Sequence, residues 1–161
     1  MIDDFRPVLG SSVPPEVTVG FDVIAEAWVR GSRVALEQVL LNLVINAGEA
    51  IGGTGSIVVR VTPAAQKPDF YCLEVADDGQ GMTQETLSRI FEPFFTTKAE
   101  TGGHGLGLAG VYATVTGIGG ELAVHSEAGE GTVFQLLLPC GQAEAILTST
   151  CLLYTSDAAD E

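Results

Sequence analysis

Residues 33 to 51, RVALEQVLLNLVINAGEAI, constrain the fold more than any other stretch. Apolar residues recur at intervals of three and four, at Leu36, Val39, Leu40, Leu43, Val44 and Ala47, the period of a helix with one buried face. Ser32 stands at the N-cap position and Gly52-Gly53 ends the run. A helix this apolar needs a second layer, and the sequence on either side of it supplies strands. VTVGFDV (17–23) alternates like a half-exposed strand, and SIVVRVT (56–62) and FYCLEVA (70–76) read as two more, joined by a turn within residues 63–68 and expected to pair. Next come a short helix over 83–90 capped by Thr83, the cluster FEPFF, a polar glycine-rich loop TTKAETGGHG (96–105) and a helix from about 106 to 117 ended by GIGG. ELAVHSEAGEGTVFQLLLP (121–139) closes the series as a hairpin turning at AGEG. This order predicts an α+β fold: a two-layer α/β sandwich with a mixed, mostly antiparallel sheet covered on one face by helices.

At 161 residues the chain is the size of one domain with one core. Its 7 basic residues against 21 acidic ones, a net charge of −14, make nucleic acid and acidic membrane surfaces poor partners. A small anion is not excluded, because helix N-termini and one or two local cations can hold phosphate inside an acidic protein. Cys72, Cys140 and Cys151 form no CxxC pair and suit a reducing compartment. No apolar run is expected to reach the length of a membrane span, and MIDDFRPVLG lacks the positive start of a signal peptide. These features predict a cytoplasmic domain with no membrane contact of its own, whether or not a longer parent is anchored.

Four segments are expected: a lead-in strand and loop (1–32), the main domain (33–139), a linker (140–150) and a tail (151–161). The tail, CLLYTSDAADE, resembles the translation of a transposase adapter used in preparing sequencing libraries and is set aside as non-native. Without it, 18 acids face 7 bases, a charge of −11, and the charge argument stands.

The chemistry centres on VADDGQGM (75–82), a strand that runs straight into two aspartates and two glycines. An ionised aspartate only accepts hydrogen bonds, so Asp77 could take one from an exocyclic amino group, while Gly79 and Gly81 let a flat ring approach the backbone. The plainer alternative is a turn aspartate capping the helix that follows Met82. On the long helix, Asn42 and Asn46 share a face, with Glu49 three residues on. Asparagine is a poor helix former, so the pair is either two solvated amides or a source of hard oxygen ligands for Mg²⁺, which also needs phosphate oxygens. GGHGLGLAG (102–110) offers the phosphate site: a glycine loop running into a helix start, with N–H groups free and the positive helix end exposed.

Taken in order, NLVINAGEA, VADDGQGM, IFEPFFTTK, GGHGLGLAG and GEGTVF resemble the successive boxes of the ATP-binding catalytic domain of sensor histidine kinases, over about residues 33 to 139. FEPFFTTK is similar to kinases of the nitrogen-regulation type. The resemblance implies the Bergerat ATP-binding fold and binding of Mg²⁺ and ATP. It implies that Asn46 holds Mg²⁺, that Asn42 lies beside it near the phosphates, and that Asp77 binds adenine in a pocket shaped by Gly79, Gly81 and Met82. Gly103, Gly105, Leu106 and Gly107 match the loop that wraps the triphosphate, residues 96–104 its lid, and Thr132 a residue near the adenine. Lys98 and Arg89 are candidate phosphate-neutralising cations, each with an ordinary solvated side chain as the alternative. Phe91, Phe94 and Phe95 are expected to seat the lid.

His104 lies in the glycine loop within reach of phosphate, and His125 is expected to be structural. Neither matches the phosphoacceptor, which in the resembled family sits on a separate dimerisation helix, so the implied partners are histidine-bearing dimerisation helices and a response regulator. Ser32, Asp78 and His104 depart from the commonest family residues at their positions. Among rivals, a hydrolase of the same fold would carry a glutamate base at the position of Asn42, and an amide cannot take that proton. A serine kinase of the anti-sigma type or a nucleotide-binding pseudokinase would present similar boxes. GLGLAG also satisfies the dinucleotide fingerprint, but a polar loop rather than a strand precedes it.

Overall fold

The computed structural model describes residues 2–23, 27–92, 106–141 and 145–147. Its elements run α1 (Ile2–Ser11), β1 (Val17–Val23), β2 (Ala27–Val29), α2 (Arg33–Ile51), β3 (Gly55–Pro63), β4 (Phe70–Asp77), α3 (Gln84–Leu87), α4 (Leu106–Gly117), β5 (Glu121–Glu127), β6 (Gly131–Pro139) and β7 (Ala145–Leu147).

The predicted long helix forms over its whole span. Ser32 Oγ accepts the Ala35 N–H at 3.2 Å, and Gly52, at φ 66°, gives its N–H to the Gly48 carbonyl at 3.3 Å. One sheet has the order β1-β3-β4-β6-β5. β1 and β3 are parallel, and every other neighbour in that sheet is antiparallel, as the sequence predicts. Leu36, Val39, Leu40, Leu43 and Val44 of α2 join Ile57, Val59, Leu73, Val75, Leu136 and Val115 in a single core between helices and sheet. The alternation along β3 (Ile57, Val59 and Val61 buried, their neighbours half-exposed) is what a sheet with helices on one face requires.

The other face carries a polar row that crosses all five strands. Arg60 Nε donates to Asp22 Oδ2 (3.3 Å), Arg60 Nη1 to Glu74 Oε1 (3.1 Å) and Gln135 Nε2 to Glu74 Oε2 (2.6 Å). His125 Nε2 then meets Gln135 Oε1 at 3.2 Å. Because the Gln135 nitrogen is turned to Glu74, its oxygen faces the imidazole, and Nε2 of His125 is the donor. His125 is thus structural, as expected. A one-residue slip of any of these strands would turn its polar residue into the core, so the row reinforces register.

Three elements depart from the sequence reading. The lead-in contains a helix, α1, missed because Pro7 lies inside it and proline removes a helical N–H. It also contains β2, and the segment taken as a linker contains β7, which pairs antiparallel with β2. Three-residue strands are too short to display a period. The expectation that no apolar run reaches a membrane span also fails on length and composition: α2, 19 residues long, is apolar enough to reach it. Its apolar stripe packs on the sheet, which accounts for that composition. The helix expected over 83–90 is regular only over Gln84–Leu87, capped by Thr83 Oγ1 accepting from the Thr86 N–H, and continues as turns.

Candidate functional site

Asn42, Asn46 and Ala50 follow one another at intervals of four and form one stripe along α2, about 12 Å long at 1.5 Å per residue. Its two ends touch different parts of the chain. At one end Asn42 Nδ2 donates to the Gly107 carbonyl in the first turn of α4, at 3.4 Å. A Cβ on Gly107 would lie 3.7 Å from Asn42 Cγ, an ordinary van der Waals distance, so the start of α4 packs close beside the asparagine. At the other end the Ala50 carbonyl accepts the Gln80 N–H at 3.0 Å. The start of the helix after the glycine loop and the loop after β4 are therefore held by a single helix face. Between them lies Asn46, half-buried. Asn42 Oδ1 already accepts from Gln38 Nε2 at 3.2 Å, whereas the Asn46 amide makes no hydrogen bond to another described residue.

The two aspartates of the opening motif divide their roles. Asp78 is occupied: its Oδ1 accepts the Ser56 N–H at 3.0 Å and its Oδ2 the Ser56 hydroxyl at 3.2 Å, tying the end of β4 to the start of β3. Asp77 turns to the helix-covered side, where Oδ1 accepts the Gly79 N–H at 2.8 Å. Burial pushes its carboxyl above the ordinary aspartate range. The N–H groups of Gly79 and Thr132 pull in the opposite direction, and the neighbouring Asp78 charge adds a further push upward.

Gly79 and Gly81 are glycines for packing reasons. A Cβ on Gly79 would sit 2.7 Å from the Ala50 carbonyl carbon. One on Gly81, whose φ is 70°, would overlap the Glu127 carbonyl oxygen. The loop is thus pressed between the end of α2 and the β5–β6 turn, where the Gly129 N–H also bonds the Gln80 carbonyl at 2.6 Å.

Asp77, Thr132 and Ser126 lie directly opposite one another on β4, β6 and β5, in one row on the helix-covered face. Thr132 is 6% exposed and its Oγ1 is 2.8 Å from Ser126 Oγ. Ser126 Oγ also accepts the Met82 N–H at 2.8 Å and lies 3.1 Å from the Gly131 carbonyl oxygen. The side chain of Met82 packs against the edge of the core. Sequence reasoning missed Ser126. The available signal was its position: it follows Leu122 and Val124 on the inward side of β5, where a hydroxyl needs a partner.

The described site residues therefore come together as one arc from Gly107 through Asn42 and Asn46 to Gly79, Asp77 and Thr132. Two further candidates are exposed. Glu49 is exposed on α2. Arg89 points Nε and Nη2 at Glu92 Oε1, both at 3.2 Å, in an exposed pair. Phe91 stacks at 5.4 Å on Tyr112 of α4, which joins the start of the aromatic cluster to the helix after the loop. Lys98, Gly103, His104, Gly105, Phe94 and Phe95 lie outside the described residues, and only the backbone of Leu106 is described.

Known proteins are similar to this chain in sequence and in fold. The chain is 36% identical over 152 residues to the sensor kinase CckA of Brucella abortus, covering 86% of this chain and 16% of that protein. It is 47% identical over 104 residues to the sensor histidine kinase ZraS of Escherichia coli, covering 65% and 21% respectively. The chain thus spans about a sixth to a fifth of these curated relatives. Among solved structures it is similar to a mycobacterial sensor histidine kinase, MprB, with a TM-score of 0.70 and 28% identity over 86% of this chain and 93% of that one. Full-length ShkA superposes with a TM-score of 0.70 and 25% identity, covering 90% of this chain and 32% of that one. With residues 31–142 matching its family pattern, the chain belongs to the histidine kinase-, DNA gyrase B- and HSP90-like ATPases.

Proposed function

We propose that this chain is the ATP-binding catalytic domain of a two-component sensor histidine kinase, donating the γ-phosphoryl group of Mg-ATP to a histidine on a dimerisation helix. The observation that carries the reading is the Asn42–Asn46–Ala50 stripe, which holds the start of α4 at one end and the Asp77 loop at the other. A nucleotide is a molecule with the same polarity, anionic at one end and a flat, hydrogen-bonding base at the other. Phosphates lie at the N-terminal end of α4, where free N–H groups and the helix dipole favour anions. Adenine lies beside Asp77, its amino group donating to the carboxylate, while Gly79 and Gly81 let the loop that walls the pocket pack against α2 and the β5–β6 turn. The similar protein ShkA was solved in complex with AMPPNP, which supports an adenine nucleotide in this architecture.

The donor set suits Mg²⁺. Asn46 would contribute one hard amide oxygen, a ligand type that Mg²⁺ accepts beside phosphate oxygens and water. Among the described residues no group of three or more His, Cys, Asp or Glu side chains converges into a cage. When bound, the ion supplies charge neutralisation on the phosphates. The chain's own residues position the nucleotide and keep the base end oriented. Transfer breaks the bond from the bridging oxygen to the γ-phosphorus, so ADP leaves with the electron pair, and a P–N bond forms on the acceptor imidazole. Asn42 favours this over hydrolysis, since an amide is no general base for water and both ends of this one are engaged, with Gln38 and Gly107. Such a domain draws on cellular ATP and works on the cytoplasmic side. Its further partner, a response regulator, takes the phosphoryl group from the histidine.

The test is incubation with γ-labelled ATP and a separate histidine-bearing helical domain. Acid-labile, alkali-stable label on that domain is the expected result. Acid-stable label on a serine substrate would overturn the histidine assignment, and failure to bind ATP would overturn the whole reading.

A further inference from the structure

We propose that the outer edge of β5 is a docking site for an extended, basic segment of another protein, which pairs there as a sixth strand of the five-stranded sheet. β5 stands last in the order β1-β3-β4-β6-β5, so only its inner edge is paired. The N–H and C=O groups of an unpaired edge are a template for another chain. Among the described residues, no backbone bond from outside the sheet reaches Leu122 through Ser126. Natural edges are commonly blunted by lysine, proline, a bulge or a very short strand. β5 has none of these: its seven residues, ELAVHSE, hold an unbroken register with β6 from Glu121 to Glu127. β1, at the opposite edge, is weakened by Gly20 in mid-strand.

Charge decides which occupant fits. Glu121 is paired with Lys67, whereas Glu127 and Glu130, in the turn beyond it, are exposed and form no ion pair among the described residues. A second copy of the chain is disfavoured by the same groups. The antiparallel register that pairs all seven residues, with Val124 opposite Val124, sets Glu121 against Glu127 at both ends, between copies that each carry a net charge of −14. A strand uncharged along its middle, with a lysine or arginine beside Glu127, meets no such repulsion and gains a cross-strand ion pair.

β5 also reaches the nucleotide site. Ser126 Oγ accepts the Met82 N–H at 2.8 Å and lies 2.8 Å from Thr132 Oγ1, and the Gly129 N–H in the turn after β5 bonds the Gln80 carbonyl at 2.6 Å. Restraining the edge strand therefore restrains the loop after β4. On the ATP reading above, on which this coupling alone rests, occupation of the edge and ATP binding strengthen each other, since linkage is reciprocal.

The probe is a synthetic peptide matching β5 in length, alternating threonine and valine with a lysine at each end and both termini capped, added to the whole chain and followed by hydrogen exchange and by titration at low salt. Amides of β5 should exchange at least about tenfold more slowly with the peptide bound. The same peptide ending in glutamates should bind about tenfold more weakly, a gap that closes with added salt. Glu127→Lys combined with Glu130→Lys, both at exposed positions, should reverse that preference. A peptide N-methylated throughout its middle cannot complete the ladder and should not bind. The docking site is overturned if protection appears elsewhere or nowhere, or if the N-methylated peptide binds as well as the first. It is also overturned if β5 becomes protected with rising protein concentration and no peptide, which makes a second copy the occupant. ATP affinity should rise about fivefold with the lysine-ended peptide bound. Docking with no change in ATP affinity overturns the coupling alone, and a chain that docks the peptide but binds no ATP overturns the ATP reading and leaves the docking site standing.

Discussion

The carbonyl of Ala50 accepts the Gln80 N–H at 3.0 Å, and Gly79 lies so close to the same peptide that a Cβ would come within 2.7 Å of its carbonyl carbon. The last turn of α2 and the loop that carries Asp77 are therefore hydrogen-bonded and closely packed at this point.

Substitution at this point should cost both stability and binding. Gly79→Ala forces a methyl into backbone atoms that cannot give way, at about 1–3 kcal/mol. Gly110 is the contrast, an exposed position inside α4 with nothing within 4 Å of an added Cβ. Gly110→Ala should stabilise by about 0.5–1 kcal/mol through the lower chain entropy of alanine. Urea unfolding of the two variants checks both signs, and ATP affinity should fall only for Gly79→Ala.

The raised carboxyl of Asp77 sets opposite pH trends for folding and for binding. Its neutral form is favoured in the fold, so its contribution to stability is full below the ordinary aspartate value of about 3.9 and is lost as pH rises through the elevated one. At neutral pH the charged carboxylate is a cost to the unliganded domain. Asp77→Asn should accordingly raise the melting temperature of the free protein at pH 7 while lowering ATP affinity at least about tenfold, because an amide nitrogen would face the adenine amino group. ATP binding by the unsubstituted chain should weaken on acidification with a midpoint above 3.9, about the ordinary aspartate value. Thermal melts and titrations across about pH 3 to 8, a range bracketing that value, check the signs.

Asn46 and Asp77 should separate metal from base. Asp77→Ala is expected to abolish ATP binding. Asn46→Ala should leave binding in EDTA nearly unchanged and remove most of the gain produced by Mg²⁺, since only the metal ligand is lost. Unchanged Mg²⁺ dependence in Asn46→Ala, measured by calorimetry, would exclude its role as the ligand.

The polar row on the open face should be neutral for function. Arg60 bridges Asp22 and Glu74 with 42% of its side chain exposed. Arg60→Met should cost only about 0.2–1 kcal/mol, the range of solvent-exposed ion pairs. It should leave ATP affinity unaltered, because the row lies on the face away from Asn46 and Thr132. A tenfold loss of ATP affinity would mean that the two faces are coupled.

Much of this was legible in the sequence where a period or a cap carried the signal. The spacing of Leu36, Val39, Leu40, Leu43 and Val44, with Ser32 before and Gly52 after, placed α2 at its observed ends. The alternation in SIVVRVT and FYCLEVA placed β3 and β4 within a residue at each end. α1 was hidden by Pro7, and β2 and β7 by being three residues long. Within the site, the reading of DDGQG singled out Asp77 but gave Asp78 no partner, because that partner, Ser56, lies 22 positions away. Ser126 was missed for the same reason, since its partners Met82 and Thr132 belong to other strands and loops.

Local sequence alone determined α2, α4 and the five strands of the main sheet, and which residue types could bind a base, a phosphate and a metal, because periodicity, capping and donor chemistry act over a few residues. Only the tertiary structure decided that Asn42, Asn46 and Ala50 form a single stripe joining the start of α4 to the Asp77 loop, and that Thr132 and Ser126 stand in the same row as that acid. Those relationships come from strand pairing and helix packing between distant parts of the chain, and free energies of packing are properties of surfaces that exist only once the layers have met.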